Sequence, residues 1–346
     1  MPTTKKTKKI AFPSEFRYDL ISKDWVIIAA RRAKRPETFK KQKREKQESS
    51  RDKCPFCHPE TQEAPTLVLV NGKKFTEKEI PKNWTTIVVP NKYPAVIPYP
   101  KLEEKIEGGI YKKINAVGFH EVVITRDHKK PLGKFEIKEI KELIDAYQQR
   151  YLCLMKEKFV NYISIFQNYG AEAGASVFHP HSQIITTPLV DVDLNRALEN
   201  SQKYFQKTKK CVYCQMLEWE RKTKKRIVFE NKEFLVICPF APKVAFEIII
   251  SPKKHLSNFE KIGESEKWQL AEAFQAAMSK LYKGLNNPAY NFYLHTVPCD
   301  GKEYPQYHWH WTVLPKTANW AGFEIGTKME ISTIEPEKAA EYLRKQ

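Results

Sequence analysis

The sequence of 346 residues lacks long apolar runs. A membrane-spanning helix needs about 20 predominantly apolar residues, and no window approaches about 18 in a row. We therefore expect no membrane segment. The N-terminal stretch MPTTKKTKKIAF is charged but has no apolar segment after it, which a secretory signal would require. The expected location is the cytoplasm.

Acidic residues are fewer than basic residues. The sequence has 41 Asp and Glu against 59 Lys and Arg, which gives a formal net charge of +18. Such a field attracts anions, including phosphates, nucleotides and nucleic acids. Many lysines stand in polar runs such as KKQKREK at 40–46, which are typical of a solvated segment. The charge therefore indicates an anionic partner and leaves its class open.

The cysteines do not form the pattern of a disulfide framework. There are seven, and four of them make two CxxC pairs, Cys54 with Cys57 and Cys211 with Cys214. In the absence of a secretory signal, such pairs favour metal binding or redox chemistry over disulfides.

The landmarks that follow the first CxxC pair recur in the same order after the second. Each half has an Asn-Lys pair, an apolar strand that leads to a histidine, a helix, another strand and an H-x-H motif. Apolar residues spaced by three and four predict the helices, from Ile137 to Leu154 and from Trp268 to Leu281. The strand-like runs after them lie at 162–168 and 290–296.

We interpret this repeat as a duplication of one α+β unit, a mainly antiparallel sheet with a long helix packed on it. The first unit is predicted to comprise residues 1–198 and the second residues 199–346.

Each half also supplies two thiols and two imidazoles, the donors of a closed tetrahedral zinc site. The sets are Cys54, Cys57, His128 and His179 in the first half and Cys211, Cys214, His255 and His308 in the second. A lone CxxC is only a hypothesis, but the same ligand types in the same order twice favour Zn²⁺, one structural ion per half. For the second site, another metal and His310 in place of His308 stay open. His120, at the start of a strand, is expected to be a polar end residue.

The segment NYGAEAGASVFHPHSQ, from Asn168 to Gln183, carries the predicted chemistry. Glycines such as Gly174 allow a turn whose free N–H groups could cradle a phosphate. Alternate side chains of a strand share a face, so His179, His181 and Gln183 are expected to point the same way. If His179 binds the metal, the His181 imidazole is not a ligand and is available as a nucleophile toward phosphorus. The second half lacks the glycine loop, so we expect one catalytic site per chain.

At these residues the chain resembles the galactose-1-phosphate uridylyltransferase family of the histidine-triad superfamily. The similarity covers nearly the whole length, from Arg17-Tyr18-Asp19 and WVIIAARRAKRP (25–36) through CPFC and HPHSQ to GFEIGT (322–327). It implies two tandem histidine-triad-like units, the second degenerate, and a homodimer whose active site is shared between subunits. It implies ping-pong transfer between a nucleotide sugar and a hexose 1-phosphate, with His181 as nucleophile and Gln183 on the nucleotide phosphate. The substrate-binding residues that it implies are Arg32, Arg35, Asn91, Asn168, Gly174 and Ser176 around the nucleotide and phosphates, with Phe323 and Glu324 near the hexose.

Three functions follow from these features. Because glutamine cannot act as an acid, Gln183 favours a transferase over the superfamily's hydrolases, which have a histidine there. The first expectation is uridylyl transfer between UDP-glucose and galactose 1-phosphate. The alternative is an ADP-sugar phosphorylase, since Cys211 and Cys214 indicate the branch that contains plant ADP-glucose phosphorylase. A remote alternative is a zinc-ribbon nucleic-acid-binding protein, which would show salt-dependent affinity and gives no reason for HPHSQ.

Overall fold

The computed structural model describes residues 14–29, 39, 50–76 and 79–346. The strands are β1 Glu15–Tyr18, β2 Trp25–Ile28, β3 Leu67–Val70, β4 Lys73–Phe75, β5 Thr86–Pro90, β6 Glu104–Glu107, β7 Tyr111–Ile114, β8 His120–Thr125, β9 Tyr162–Tyr169, β10 His181–Thr187, β11 Ile227–Glu230, β12 Phe234–Ile237, β13 Ile248–Pro252, β14 Tyr290–His295, β15 His310–Pro315 and β16 Ile331–Ser332. The α-helices are α1 Ile137–Leu154, α2 Val192–Thr208, α3 Val212–Thr223, α4 Glu264–Gly284, α5 Gly322–Thr327 and α6 Pro336–Arg344. None of these described helices has the length and apolar character needed to cross a membrane.

One antiparallel sheet of eleven strands runs through both halves, in the order β11-β12-β13-β15-β14-β9-β10-β8-β5-β3-β4. The halves meet where β9 pairs with β14, with Asn168 opposite Asn291. Away from this junction, corresponding strands follow one another in both directions, β9-β10-β8-β5-β3 on one side and β14-β15-β13-β12-β11 on the other. The α+β class with a mainly antiparallel sheet is confirmed. The boundary between residues 198 and 199 stays a prediction, and the sheet is continuous between the halves.

The long helices α1 and α4 pack against each other and on one face of the sheet. Their apolar stripes meet strand side chains of alternate positions, such as Ile163 and Ile165 on β9 and Ile184 on β10, all fully buried. Burying a side chain of this size contributes about 1.5–3 kcal/mol relative to leaving it in water. Two residues predicted for the apolar stripes are instead exposed. Ile137 is the first residue of α1, and Trp268 is 45% exposed, with its ring centroid 5.5 Å from Nζ of Lys141.

The opposite face of the sheet carries the polar side chains of the H-x-H region. Because successive strand side chains alternate, Ser182 faces α1, where its hydroxyl lies 2.6 Å from the Tyr147 hydroxyl. His181 and Gln183 therefore face away from the helix. His179 was expected on this strand, but β10 begins only at His181, since Pro180 has no N–H for strand pairing.

Candidate active site and metal groups

Four ligand-type side chains converge in the first half. They are Cys54, Cys57, His128 and His179, whose ligand atoms all lie within 4.8 Å of one another. The Cys57 sulfur lies 3.2 Å from Nδ1 of His128 and 3.5 Å from Nδ1 of His179. Nε2 of His179 lies 2.6 Å from the Thr125 carbonyl oxygen, which can only accept, so this nitrogen carries the hydrogen. Nδ1 of His179 thus presents a lone pair to the thiols.

The second half repeats this arrangement. Its group comprises Cys211, Cys214, His255 and His308, again with all ligand atoms within 4.8 Å of one another. The Cys214 sulfur lies 3.3 Å from Nδ1 of His255 and 3.5 Å from Nδ1 of His308. Nε2–H of His308 donates to the Pro252 carbonyl at 2.9 Å. The structure thus brings His308 to the group, whereas its rival His310 lies outside it.

The chemistry of both groups fits a divalent cation that prefers sulfur and nitrogen ligands. Burial and the neighbouring Cys54 thiol raise the pKa of Cys57 to about 11, so these surroundings oppose the ionisation of Cys57. A bound cation reverses this effect, because a coordinating thiol is deprotonated. A carbonyl partner on the far ring nitrogen, as in His179 and His308, is typical of metal-binding histidines. Either group could therefore hold a metal ion.

His181 is buried, with 7% of its surface exposed, and the backbone fixes which nitrogen carries its hydrogen. Nδ1 lies 2.8 Å from the His179 carbonyl oxygen, and a carbonyl only accepts, so Nδ1–H donates and Nε2 keeps the lone pair. Burial lowers the pKa of His181, which favours the neutral ring. The Phe56 ring packs against it with centroids 4.8 Å apart. The site therefore holds one oriented, neutral imidazole nitrogen that can act as a nucleophile.

Gln183 lies on the same face of β10, and a neighbouring imidazole contacts its amide. Its Oε1 lies 2.8 Å from Nε2 of His120. Nδ1 of His120 accepts a hydrogen bond of 3.1 Å from the Ala95 backbone N–H. Asn91 also joins the group, with Nδ2 3.0 Å from Nε2 of His120 and Oδ1 accepting from the Tyr93 N–H. His120, expected to be a polar end residue, thus lies between two predicted substrate-binding residues.

The glycine-containing loop is closed by its own hydrogen bonds. Gly170 and Gly174 have φ angles of 84° and 86°, which glycine adopts without steric cost. The N–H groups of Ala173 and Ala175 both donate to the Gly170 carbonyl, at 3.0 and 3.2 Å. These two N–H groups are therefore not available to a phosphate, and the loop offers fewer free donors than expected. In the part of the chain that the structure describes, the N–H of Ser176 has no hydrogen-bond partner.

Asn168 is oriented by a residue of the second half. Nδ2 of Asn291 donates to the Ala173 carbonyl at 2.9 Å and to Oδ1 of Asn168 at 2.8 Å. Since a carbonyl only accepts, the nitrogen of Asn291 is identified, and the amide NH₂ of Asn168 has no hydrogen-bond partner among the residues that the structure describes. Asn291 carries no motif that would identify it in the sequence. Asn291 is identified by its position opposite Asn168 in the pairing of β9 with β14, and this pairing is known only from the folded sheet.

The second H-x-H motif has the same backbone bond but different surroundings. Nδ1–H of His310 donates to the His308 carbonyl at 3.1 Å, and burial lowers the pKa of His310 to about 4. Its ring stacks on His295 with centroids 4.5 Å apart, beside a cavity of about 1280 Å³. The counterpart of Gln183 is Thr312, which also lines this cavity. The motif alone therefore does not distinguish the two halves.

The remaining predicted residues do not meet His181 within the described chain. Phe323, 46% exposed, and Glu324 lie on α5. Neither has a hydrogen bond or ring contact with His181 among the described residues. Arg32 and Arg35 lie outside the residues that the structure describes.

Two family models match the chain. One, described as "Galactose-1-phosphate uridyl transferase, N-terminal domain", matches residues 3–191. The other, described as "Domain of unknown function (DUF4921)", matches residues 116–346. Together the two matches include both halves of the sheet.

Similar proteins match over nearly the full length. ADP-glucose phosphorylase of Arabidopsis thaliana is 34% identical over 335 residues, which cover 95% of this chain and 92% of that protein. Galactose-1-phosphate uridylyltransferase of Thermotoga maritima is 29% identical over 339 residues, with coverages of 95% and 98%. The crystal structure of an ADP-glucose phosphorylase from Arabidopsis thaliana with bound ADP-glucose has a TM-score of 0.78 at 29% identity, with coverages of 96% and 99%.

Proposed function

This chain belongs to the galactose-1-phosphate uridylyltransferase family of nucleotidyl-transferring enzymes, and on that premise we propose that His181 carries a nucleoside monophosphate between two phosphates. The observation that carries the proposal is the bond from Nδ1–H of His181 to the His179 carbonyl. It leaves Nε2 as the nucleophile and stabilises the positive charge that the ring acquires when Nε2 forms a bond.

The proposed reaction has two half-reactions at one phosphorus atom. First, Nε2 of His181 attacks the α-phosphorus of a nucleotide sugar, a P–N bond forms, and the bond to the bridging oxygen breaks. Hexose 1-phosphate leaves with the electron pair. Then an oxygen of an incoming phosphate attacks the same phosphorus, and the P–N bond breaks and returns the pair to His181. Such double displacement gives ping-pong kinetics.

Gln183 supports transfer rather than hydrolysis. Its amide cannot donate a proton as an acid, and a sugar phosphate leaves as a stable anion without one. The NH₂ group can donate hydrogen bonds to the oxygens of the phosphoryl group. Asn168 has its NH₂ free in the same way, because Asn291 occupies its oxygen. We assign both amides to phosphate binding, together with the N–H of Ser176 and with Asn91 at the nucleotide.

For the donor we propose an ADP-sugar, with inorganic phosphate or a hexose 1-phosphate as acceptor. The sequence analysis placed uridylyl transfer first. The identity of 34% to an ADP-glucose phosphorylase, against 29% to a uridylyltransferase, supports the adenylyl alternative instead. UDP-glucose with galactose 1-phosphate remains the second candidate pair, because that relative also matches over nearly the whole chain.

Mass spectrometry of the intact protein decides between the donors. After incubation with ADP-glucose and removal of small molecules, we expect a mass gain of one adenosine monophosphate per chain, located at His181 by peptide analysis. The same incubation with UDP-glucose serves as the comparison. An adduct with UDP-glucose alone would change the proposal to uridylyl transfer, and the absence of an adduct with both would contradict the covalent mechanism.

We propose that both metal groups hold Zn²⁺ as a structural ion. Two thiols and two imidazoles within reach of one centre are the ligands that zinc prefers. In the first half, Cys54, Cys57, His128 and His179 would hold the ion, which would anchor His179, whose carbonyl orients His181. A zinc-ribbon protein that binds nucleic acid would share the cysteine pairs and the net charge, but it would leave the oriented His181 without a role.

We also propose a homodimer in which α5 of one subunit completes the active site of the other. Exposed apolar side chains cluster on and beside α5, at Trp320, Phe323 and Ile325. None of the three has a hydrogen bond or ring contact with His181 among the described residues. A partner subunit would cover them and would receive Phe323 and Glu324 beside its hexose.

Mixing two inactive variants tests this shared site. We expect His181→Asn and Glu324→Ala proteins each to be weak or inactive, and to regain activity when they are unfolded and refolded together. In a mixed dimer, one active site then has both His181 and Glu324. The control is each variant refolded alone. No gain in the mixture, with mixed dimers demonstrated by mass spectrometry, would place both residues in the site of one chain.

A further inference from the structure

We propose that His120 is a positioning residue that fixes the amide of Gln183, so that the Gln183 NH₂ faces the phosphoryl group on His181. The inference rests on the proposed nucleotidyl transfer at His181. It assigns a role to a side chain that neither binds metal nor contacts the nucleophile.

The pairing of β8 with β10 brings the two side chains together. His120 lies opposite Ile185, and Gln183 lies opposite Val122, so His120 and Gln183 are diagonal neighbours on one face of the sheet. Long side chains at such positions can touch. Their Nε2 and Oε1 atoms are 2.8 Å apart, which is within hydrogen-bond distance.

The backbone decides which nitrogen of His120 carries a hydrogen. The Ala95 N–H points at Nδ1 over 3.1 Å, and a backbone N–H can only donate. Nδ1 is therefore the acceptor, and in a neutral imidazole the hydrogen lies on Nε2. His120 is thus held as the Nε2–H tautomer by a group that cannot change its role.

The hydrogen on Nε2 has one available acceptor among its described neighbours, Oε1 of Gln183. The other neighbour is Nδ2 of Asn91, at 3.0 Å. The oxygen of Asn91 already accepts from the Tyr93 N–H at 2.9 Å, so the amide of Asn91 turns its nitrogen toward His120. With the hydrogen on Nε2 of His120, this 3.0 Å approach joins two donors and is not a hydrogen bond, so Asn91 offers no competing acceptor. The chain of donors therefore runs from the Ala95 backbone through His120 to Oε1 of Gln183.

Fixing the oxygen of Gln183 fixes its nitrogen as well. With Oε1 held by His120, the NH₂ group is the part of the amide that is left to donate to a phosphoryl group on His181. A free amide could turn and place its oxygen against the phosphoryl oxygens, where it would repel them. His120 therefore keeps Gln183 a donor throughout the reaction. Asn291 holds the oxygen of Asn168 in the same manner.

A double-mutant cycle tests this role against a merely structural one. His120→Leu should slow formation of the His181 adduct by about 10- to 100-fold, less than the loss from removing a phosphate donor altogether. In Gln183→Ala protein, the added change His120→Leu should slow adduct formation by less than about threefold, because the amide that His120 positions is absent. If the rate loss of the double variant equals the product of the two single losses, His120 acts independently of Gln183, for example by supporting the loop at Ala95. That result would overturn the proposal.

A conservative variant and a spectroscopic measurement complete the test. His120→Gln keeps an N–H donor near the place of Nε2 and should be at least about tenfold faster than His120→Leu, which corresponds to roughly one hydrogen bond. Equal rates for the two variants would contradict the proposal. ¹⁵N spectra of histidine-labelled protein should show His120, identified by its loss in His120→Gln, with hydrogen on Nε2. The Nδ1–H tautomer would overturn the inference.

These outcomes are separate from a failure of the proposed function. If wild-type protein takes label from neither ADP-glucose nor UDP-glucose, the proposed function fails before any variant is compared. The tautomer of His120 is still decided by the spectra in that case. If wild-type protein is labelled and the cycle is additive, only the positioning role fails.

Discussion

His181→Asn protein should form no nucleotide adduct and should lose at least about 10⁴-fold in transfer rate, as expected when a covalent nucleophile is removed. The asparagine NH₂ can still donate to the His179 carbonyl, so the local structure is retained while the nucleophilic nitrogen is lost. The measurement is exchange of labelled hexose 1-phosphate into the nucleotide sugar, together with intact mass.

The matched control is His310→Asn. It makes the same change at a histidine with the same bond to the backbone, in the other half of the sheet. The counterpart of Gln183 there is Thr312, which has no amide NH₂ to donate to a phosphate, so we expect this variant to keep most of the turnover. If His310→Asn is as inactive as His181→Asn while folded and metal-replete, the second half is catalytic. Full exchange by His181→Asn protein would refute the assignment of the nucleophile.

Cys54→Ser should remove one of two zinc ions per chain and destabilise the fold. A structural zinc site contributes directly to folding, and the change leaves Cys57, His128 and His179 without their metal. We expect a loss of about 3–5 kcal/mol, which lowers Tm by roughly 4–7 °C in a chain of 346 residues. Elemental analysis and thermal unfolding measure the two effects. Transfer should also slow, because the proposed ion would anchor His179, whose carbonyl accepts the hydrogen bond from His181.

Two cysteine variants make this experiment specific. Cys153→Ser changes an exposed thiol that lies outside both groups, and it should alter neither the zinc content nor Tm. Cys211→Ser should remove the other ion and leave the orientation of His181 more nearly intact. Unchanged zinc in Cys54→Ser protein would show that the ligand set of the first half is wrong.

Local spacing predicted the secondary structure well, because a helix or a strand depends on neighbours a few residues away. The range from Ile137 to Leu154 is the observed α1. α4 begins earlier than predicted, at Glu264, since its first turn is polar and the apolar spacing starts only near Trp268. The repeat also indicated the sheet, whose corresponding strands recur about the β9–β14 junction.

The functional contacts that sequence reasoning missed depend on strand register. His120 meets Gln183 diagonally across β8 and β10, and Asn291 meets Asn168 across β14 and β9. In each pair the residues are far apart in the sequence, and neither histidine nor asparagine at a strand position has a distinctive pattern. By contrast, the two metal groups could be predicted, because their ligand types recur in one order in both halves.

The junction between β9 and β14 makes the second half indispensable for a reason other than chemistry. β9 is an interior strand only because β14 pairs with it. A protein cut between residues 198 and 199 would turn β9 into an open edge, with unpaired N–H and C=O groups along 166–169 that invite aggregation. The same cut would remove Asn291 from Asn168. In the full chain, the second half covers this strand edge through β14, so we expect the first half alone to be less soluble than the whole protein.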